Sequence, residues 1–149
     1  GLGSDGAASN DSADMFEVMK STALLHKISS MRCDVLGAGE VLEMATIGGA
    51  RALGIDSQVG SLEPGKRADI VLMKLDEPRM VPRHDIQRNL VYSASSRLVD
   101  TVIVEGRVIA ERGKCISLDR DLIVREALSL GRRLSIHDKS VTSVHSKGK

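Results

Sequence analysis

The sequence predicts a mixed α/β chain in the order helix, helix, strands and terminal helix, with a boundary between residues 57 and 60. Two observations carry this. Ahead of residue 57, apolar residues recur at three- and four-residue spacing, the period of a helix with one buried face. After Gly60 they gather into short β-branched runs divided by turn residues. A third observation bounds the core: 42% of the 149 residues are hydrophobic, yet Phe16 and Tyr92 are the aromatics. The core must therefore be aliphatic, packed from Leu, Ile, Val, Met and Ala.

The elements follow in order. Asn10 to Asp14 offers a run of capping residues, with Asp11 or Ser12 expected to cap a helix that ends near Ser30. Met15, Val18, Met19, Leu24, Leu25 and Ile28 supply its apolar stripe, and His26 is expected packed or half-exposed beside that stripe rather than as a ligand. A second helix is expected from Gly39 to Leu53, stopped by Gly54. Gly48-Gly49 inside it weakens helix by about 1 kcal/mol per glycine relative to Ala and suggests a kink or a close contact. Pro64-Gly65 fits the central positions of a type II turn, and Ala68–Met73 reads as a strand. Two prolines break the pattern between Asp76 and Pro82, and His84–Tyr92 has room for a helical turn. Val99–Val104 and Arg107–Ala110 flank Glu105-Gly106, which reads as a two-residue hairpin turn. The last helix is expected to start at Leu118-Asp119, with Asp119 as its cap, and to fray from Ser135 onward.

Charge and cysteine content exclude several function classes. With 21 basic and 20 acidic residues the formal net charge is +1, which leaves no electrostatic footprint for nucleic acid or an anionic membrane. Lys139, Lys147 and Lys149 read as a solvated tail. Cys33 and Cys115 form neither a Cys-x-x-Cys pair nor a disulfide framework, so a reducing, cytoplasmic setting is expected. No apolar run approaches a membrane span. The chain opens on a functional-looking loop with no initiator Met and no strand ahead of it, and is expected to be a piece of something longer.

That opening, Gly1 to Asn10, admits three readings. Gly1-x-Gly3-x-x-Gly6 matches the letters of the dinucleotide fingerprint, but the strand before it and the acidic residue about 20 positions on are missing, and Asp5 would repel a pyrophosphate. Alternatively, Asp5 and Asn10 make only turn hydrogen bonds, the simplest reading of these residues in isolation. In the third reading, flanking glycines let substrate approach an Asp5 that points into a pocket, as at the rim of a barrel whose active site lies at the C-terminal strand ends.

Longer stretches favour the third reading. Gly3-Ser4-Asp5-Gly6-Ala7-Ala8-Ser9-Asn10 followed by Asp14-Met15-Phe16-Glu17 resembles the loop after the eighth barrel strand in the amidohydrolase superfamily. Within it, the similarity points to the branch of 5-methylthioadenosine/S-adenosylhomocysteine deaminases and triazine chlorohydrolases. Met44–Gly54, Gly60–Val71, His84-Asp85 with Leu90–Ser93, and Val99–Gly106 fit the same pattern in the same order.

The resemblance implies the C-terminal fragment of a (β/α)8 TIM barrel followed by part of a composite β-sandwich. Residues 1–57 would close the barrel, 58–117 would belong to the sandwich, and 118–149 would form a terminal helix and tail. It implies a parent enzyme that hydrolytically deaminates an aminopurine-type substrate, with a triazine, guanine-type or other cyclic C–N or C–Cl substrate, or a non-catalytic module, as alternatives. Asp5 would be the catalytic carboxylate and a metal ligand; Ser9 and Asn10 would shape the substrate-binding wall. The cofactor would be a divalent metal, zinc or else iron or another ion, which lowers the pKa of bound water. The partners would be the small-molecule substrate, the upstream barrel and a possible second copy in a homo-oligomer. The family's ligand histidines are absent: His26, His84, His137 and His145 match none of their positions, and His84 falls on the sandwich-side connection. The chain alone is therefore expected to be inactive.

Overall fold

The structure, a computed structural model, describes residues 1–6 and 8–145, and side chains as far as residue 134. It divides into two compact units, residues 1–114 and 115–149. In the first, helices α1 (Met15–Ser30), α2 (Ala38–Ala45) and α3 (Ile47–Leu53) precede strand β1 (Ile70–Met73). A one-turn helix α4 (Ile86–Arg88) then runs into a π-helical turn over Asn89–Ser93, ahead of β2 (Val99–Val104) and β3 (Arg107–Glu111). β4 (Lys114–Cys115) and α5 (Arg120–His145) follow. The mixed α/β organisation expected from the sequence is present.

Asp14 starts α1, not Asp11 or Ser12 as expected. Its Oδ1 accepts from the Phe16 amide at 2.8 Å, while Ser12 is used one step earlier, its hydroxyl accepting from the Asp14 amide at 3.2 Å. The buried face of α1 is also narrower than the stripe suggested. Met19 and Ala23 are buried, whereas Leu25 and Ile28 are 63% and 68% exposed and His26 is exposed outright. Met19 and Ala23 pack with Ala38 and Val41 of α2 and with Val91 of the π turn, and Leu2, Phe16, Leu36 and Tyr92 close round them. Each fully buried valine there contributes roughly 1.5–3 kcal/mol. Lys27 ties the end of α1 to the next connection, its Nζ donating to the Val35 and Leu36 carbonyls at 2.7 and 2.8 Å.

The expected second helix is two helices. They break at Thr46 (φ −123°, ψ −103°), ahead of the glycine pair. The Thr46 hydroxyl donates to the Leu42 carbonyl at 2.7 Å, a back-bond that bends helices. Gly48 is needed at the elbow because a Cβ there would lie 2.9 Å from the Glu43 carbonyl oxygen. Gly49 makes the close contact: a Cβ on Gly1 would lie 2.8 Å from the Gly49 Cα.

The sheet is antiparallel in the order β1-β2-β3-β4. Ile70 pairs with Ile103 and Leu72 with Thr101, with an irregularity before Met73. Glu105 and Gly106 both take positive φ, 50° and 77°, the geometry of the two-residue hairpin turn. That turn is pinned to the residues ahead of β1: the Glu105 amide donates to Asp69 Oδ1 at 2.7 Å and the Gly106 amide to the Ala68 carbonyl at 3.1 Å. The Pro64-Gly65 turn forms as expected, with Gly65 at φ +93° and the Lys66 amide donating to the Glu63 carbonyl. In the second unit, Asp119 caps α5, its Oδ1 accepting from the Asp121 and Leu122 amides at 3.0 Å each. α5 continues to His145 instead of fraying at Ser135. No Gly or Pro falls between 132 and 145, and extending an existing helix is far easier than starting one. Lys147 and Lys149 lie outside the described residues, as do the side chains of His137, Lys139 and His145.

Candidate functional site

The loop that carries Asp5 is anchored at both ends. At its start, the Leu2 amide donates to the Met44 carbonyl at 3.1 Å, and Gly1 lies on Gly49. At its end, the Ser9 and Asn10 amides both donate to the Gly6 carbonyl, at 3.0 and 2.9 Å, closing a turn. Asn10 Nδ2 reaches back to the Ser4 carbonyl at 2.9 Å. The brace then runs forward through the Ser12 amide on Asn10 Oδ1, the Asp14 amide on the Ser12 hydroxyl, and the Ser96 amide on Asp14 Oδ2 at 3.2 Å.

Asp5 sits at the apex of this brace, exposed, with φ +60°. Left-handed backbone is uncommon outside glycine, and Asp is among the few residues that tolerate it. Oδ1 accepts from the Gly6 amide at 2.7 Å, which fixes the carboxylate's orientation. Oδ2 has no hydrogen-bond partner among the described residues. The loop therefore presents one oriented carboxylate oxygen outward, at the cost of a backbone conformation that the surrounding bonds must hold.

The other two expected site residues lie on the same loop. Ser9 is exposed on the same turn; Asn10 is half-buried and spends both ends of its amide bracing the loop. Asn10 also lines an open groove of about 320 Å³ along α1 with Glu17, Ser21, Thr22, Leu25 and His26; Asp5 is not among its walls. His84 is exposed beside α4. Reading the sequence missed Asp14 as part of the site. Partial burial pushes its pKa up, but hydrogen bonds from Ser96 and from the Phe16 and Glu17 amides outweigh that and hold the carboxyl below the ordinary range.

A catalytic zinc normally takes three protein ligands, and among the described residues no three His, Cys, Asp or Glu side chains come together. Among the described residues Asp5 stands exposed with no second ligand beside it, and does not by itself fit such an ion.

Residues 1–109 match the amidohydrolase family, and the chain belongs to it. More particularly, it is 48% identical over 134 residues to the 5-methylthioadenosine/S-adenosylhomocysteine deaminase of Desulforudis audaxviator, covering 90% of this chain and 31% of that protein. Among solved structures, it superposes on an adenosine deaminase from Xanthomonas campestris with bound zinc at a TM-score of 0.85 and 34% identity, over 88% of this chain and 30% of that one. An atrazine chlorohydrolase from Arthrobacter aurescens, complexed with zinc, matches at a TM-score of 0.71 and 32% identity, over 84% and 28% of the respective chains. The chain thus spans about a third of the length of its curated relatives.

Proposed function

We propose that this chain is the C-terminal part of a hydrolytic deaminase for aminopurine nucleosides of the 5-methylthioadenosine or S-adenosylhomocysteine kind, and that Asp5 is its catalytic carboxylate. One observation carries the proposal: Asp5 is an exposed, left-handed residue whose carboxylate is oriented by the Gly6 amide, on a loop anchored at both ends, in a chain whose relatives are named deaminases. In hydrolytic deamination the oxygen of water attacks the ring carbon, the carbon–nitrogen bond breaks, and ammonia departs with a proton it did not bring. A carboxylate with one free oxygen suits that shuttle: it accepts a proton from the attacking water and delivers it to the leaving nitrogen. A divalent cation, zinc by analogy with the solved relatives, would supply a nucleophilic hydroxide near neutral pH. Among the described residues, Asp5 is the ligand proposed for it.

The rest of the fold supports a larger parent. On this reading residues 1–57 close a barrel and 58–117 belong to a composite sandwich. The exposed Leu25 and Ile28 on α1, and Val71, Val104 and Val108 on the sheet, are surfaces for the upstream barrel and a second sheet to cover. On the same reading, residues 118–149 would be the terminal helix and tail. Among the described residues no helix is long and apolar enough to cross a membrane, and the free, exposed Cys33 and Cys115 suit a cytoplasmic enzyme.

The test is Asp5→Asn in the complete protein, assayed by ammonia release from 5-methylthioadenosine, S-adenosylhomocysteine and adenosine, with atrazine as the alternative substrate. The expected result is deamination by the parent enzyme and a loss of at least about a thousandfold in kcat in a variant that remains folded. Chloride release from atrazine without deamination would move the assignment to the triazine branch. The 149 residues alone should release no ammonia, and an undiminished Asp5→Asn enzyme would remove Asp5 from the mechanism.

A further inference from the structure

Helix α5 carries an apolar stripe with no use in the deaminase reading. Ile123, Ala127, Leu130 and Leu134 are spaced four, three and four residues apart, the alternation of a coiled-coil seam. All four are exposed; Ile123, Leu130 and Leu134 are 48%, 54% and 71% accessible. Two opposite charges, Glu126 and Arg133, lie one heptad apart at one edge of this stripe, and neither has an ion-pair partner among the described residues. At the other edge stand Val124 and Gly131, and a Cβ on Gly131 would meet no atom within 4 Å.

This pattern is its own complement when the helix is reversed. Laying α5 antiparallel on a copy of itself so that Ala127 meets Leu130 also sets Ile123 against Leu134. The same register places Glu126 beside the second copy's Arg133, and does so twice because the pair is two-fold symmetric. It also sets Val124 against Gly131, where the missing side chain makes room. A parallel pairing offers no such match, since Glu126 would then face Gly131. We propose that α5 is a homodimerisation element that pairs antiparallel with the α5 of a second copy through this register. The described seam is about 18 Å long. That is short for a standard-size interface, so this contact alone should hold the pair in the micromolar range.

The charge edge gives the test. In the complete protein, sedimentation should show a concentration-dependent dimer. Glu126→Arg and Arg133→Glu should each raise its dissociation constant at least about tenfold by setting like charges together at both symmetric sites. The double variant, with the charges exchanged, should bring the constant back within about threefold of the parent. Leu130→Asp should dissociate the pair while the helix content stays unchanged by circular dichroism. A protein that stays monomeric, with the stripe covered by its own chain, overturns the proposal. So does an oligomer indifferent to these substitutions, or two weakened single variants that the exchange does not rescue. Ammonia release plays no part in these readouts, so they stand or fall apart from the deaminase assignment.

Discussion

Gly60 and Gly65 form a natural pair for testing how tightly the helices are set against the chain that enters the sheet. Both hold nearly the same backbone, φ +94° and +93°, so replacing either by Ala incurs the same left-handed cost, about 1–2 kcal/mol. They differ in surroundings. A Cβ at Gly65 meets nothing within 4 Å, whereas one at Gly60 would lie 2.8 Å from the Ala50 Cβ and 2.9 Å from the Ile47 Cα. Two contacts that short, one of them with backbone, add an overpacking cost of roughly 1–3 kcal/mol. Gly65→Ala should therefore cost about 1–2 kcal/mol and Gly60→Ala about 2–5 kcal/mol. Urea unfolding of the complete protein, followed by circular dichroism, reads the difference. Adding Ala50→Gly to Gly60→Ala should recover part of the loss, since the Ile47 contact remains. Equal destabilisation by the two single substitutions would refute the argument, because it would mean that α3 yields freely to the turn.

Three further outcomes are expected. Asn10→Ala removes the brace on the Ser4 carbonyl, a neutral hydrogen bond with a net contribution of about 0.5–1.5 kcal/mol. In the complete enzyme kcat should fall up to about tenfold, with KM nearly unchanged, because Asp5 loses orientation and not substrate contact. For Asp14 the sign is set by its lowered pKa: its contribution to stability is present above the ordinary value of 3.8 and is lost as pH falls through the lower folded value. A pH titration of the unfolding midpoint should show Asp14→Asn flattening the parent's loss of stability in that acid range. Dialysis of the complete enzyme against a chelator should abolish deamination and zinc should restore it; activity that survives the removal of all metal would contradict the metal-dependent reading.

What was legible in the sequence was local. Pro64-Gly65 and Glu105-Gly106 announced their turns because the backbone angles they need are written into those residue types. The spacing of apolar residues located α1, but its buried width depends on α2 and the Asn89–Ser93 turn, partners that periodicity cannot see. Five consecutive positions from Asn10 to Asp14 include four competent acceptors, so choosing the cap among them required the position of Ser96, 82 residues away. The break at Thr46 was hidden for a related reason. A β-branched residue is tolerated inside a helix, and the glycines two and three positions on carried the stronger local sign. Asp5 itself was visible as a carboxylate among glycines. Its left-handed backbone and its brace through Asn10 are tertiary facts.

Asp14 answers to two masters. One oxygen holds the first turn of α1, and the other holds the Ser96 amide at the entry to β2. The loop of Asp5 and the sheet therefore share a carboxylate, and neither can open without disturbing the other. They should exchange their amide hydrogens as a single cooperative unit. If Asp5 has the role proposed above, its orientation depends on the sheet as well as on the loop, and a substitution on β2 of the complete protein should register as a change in rate.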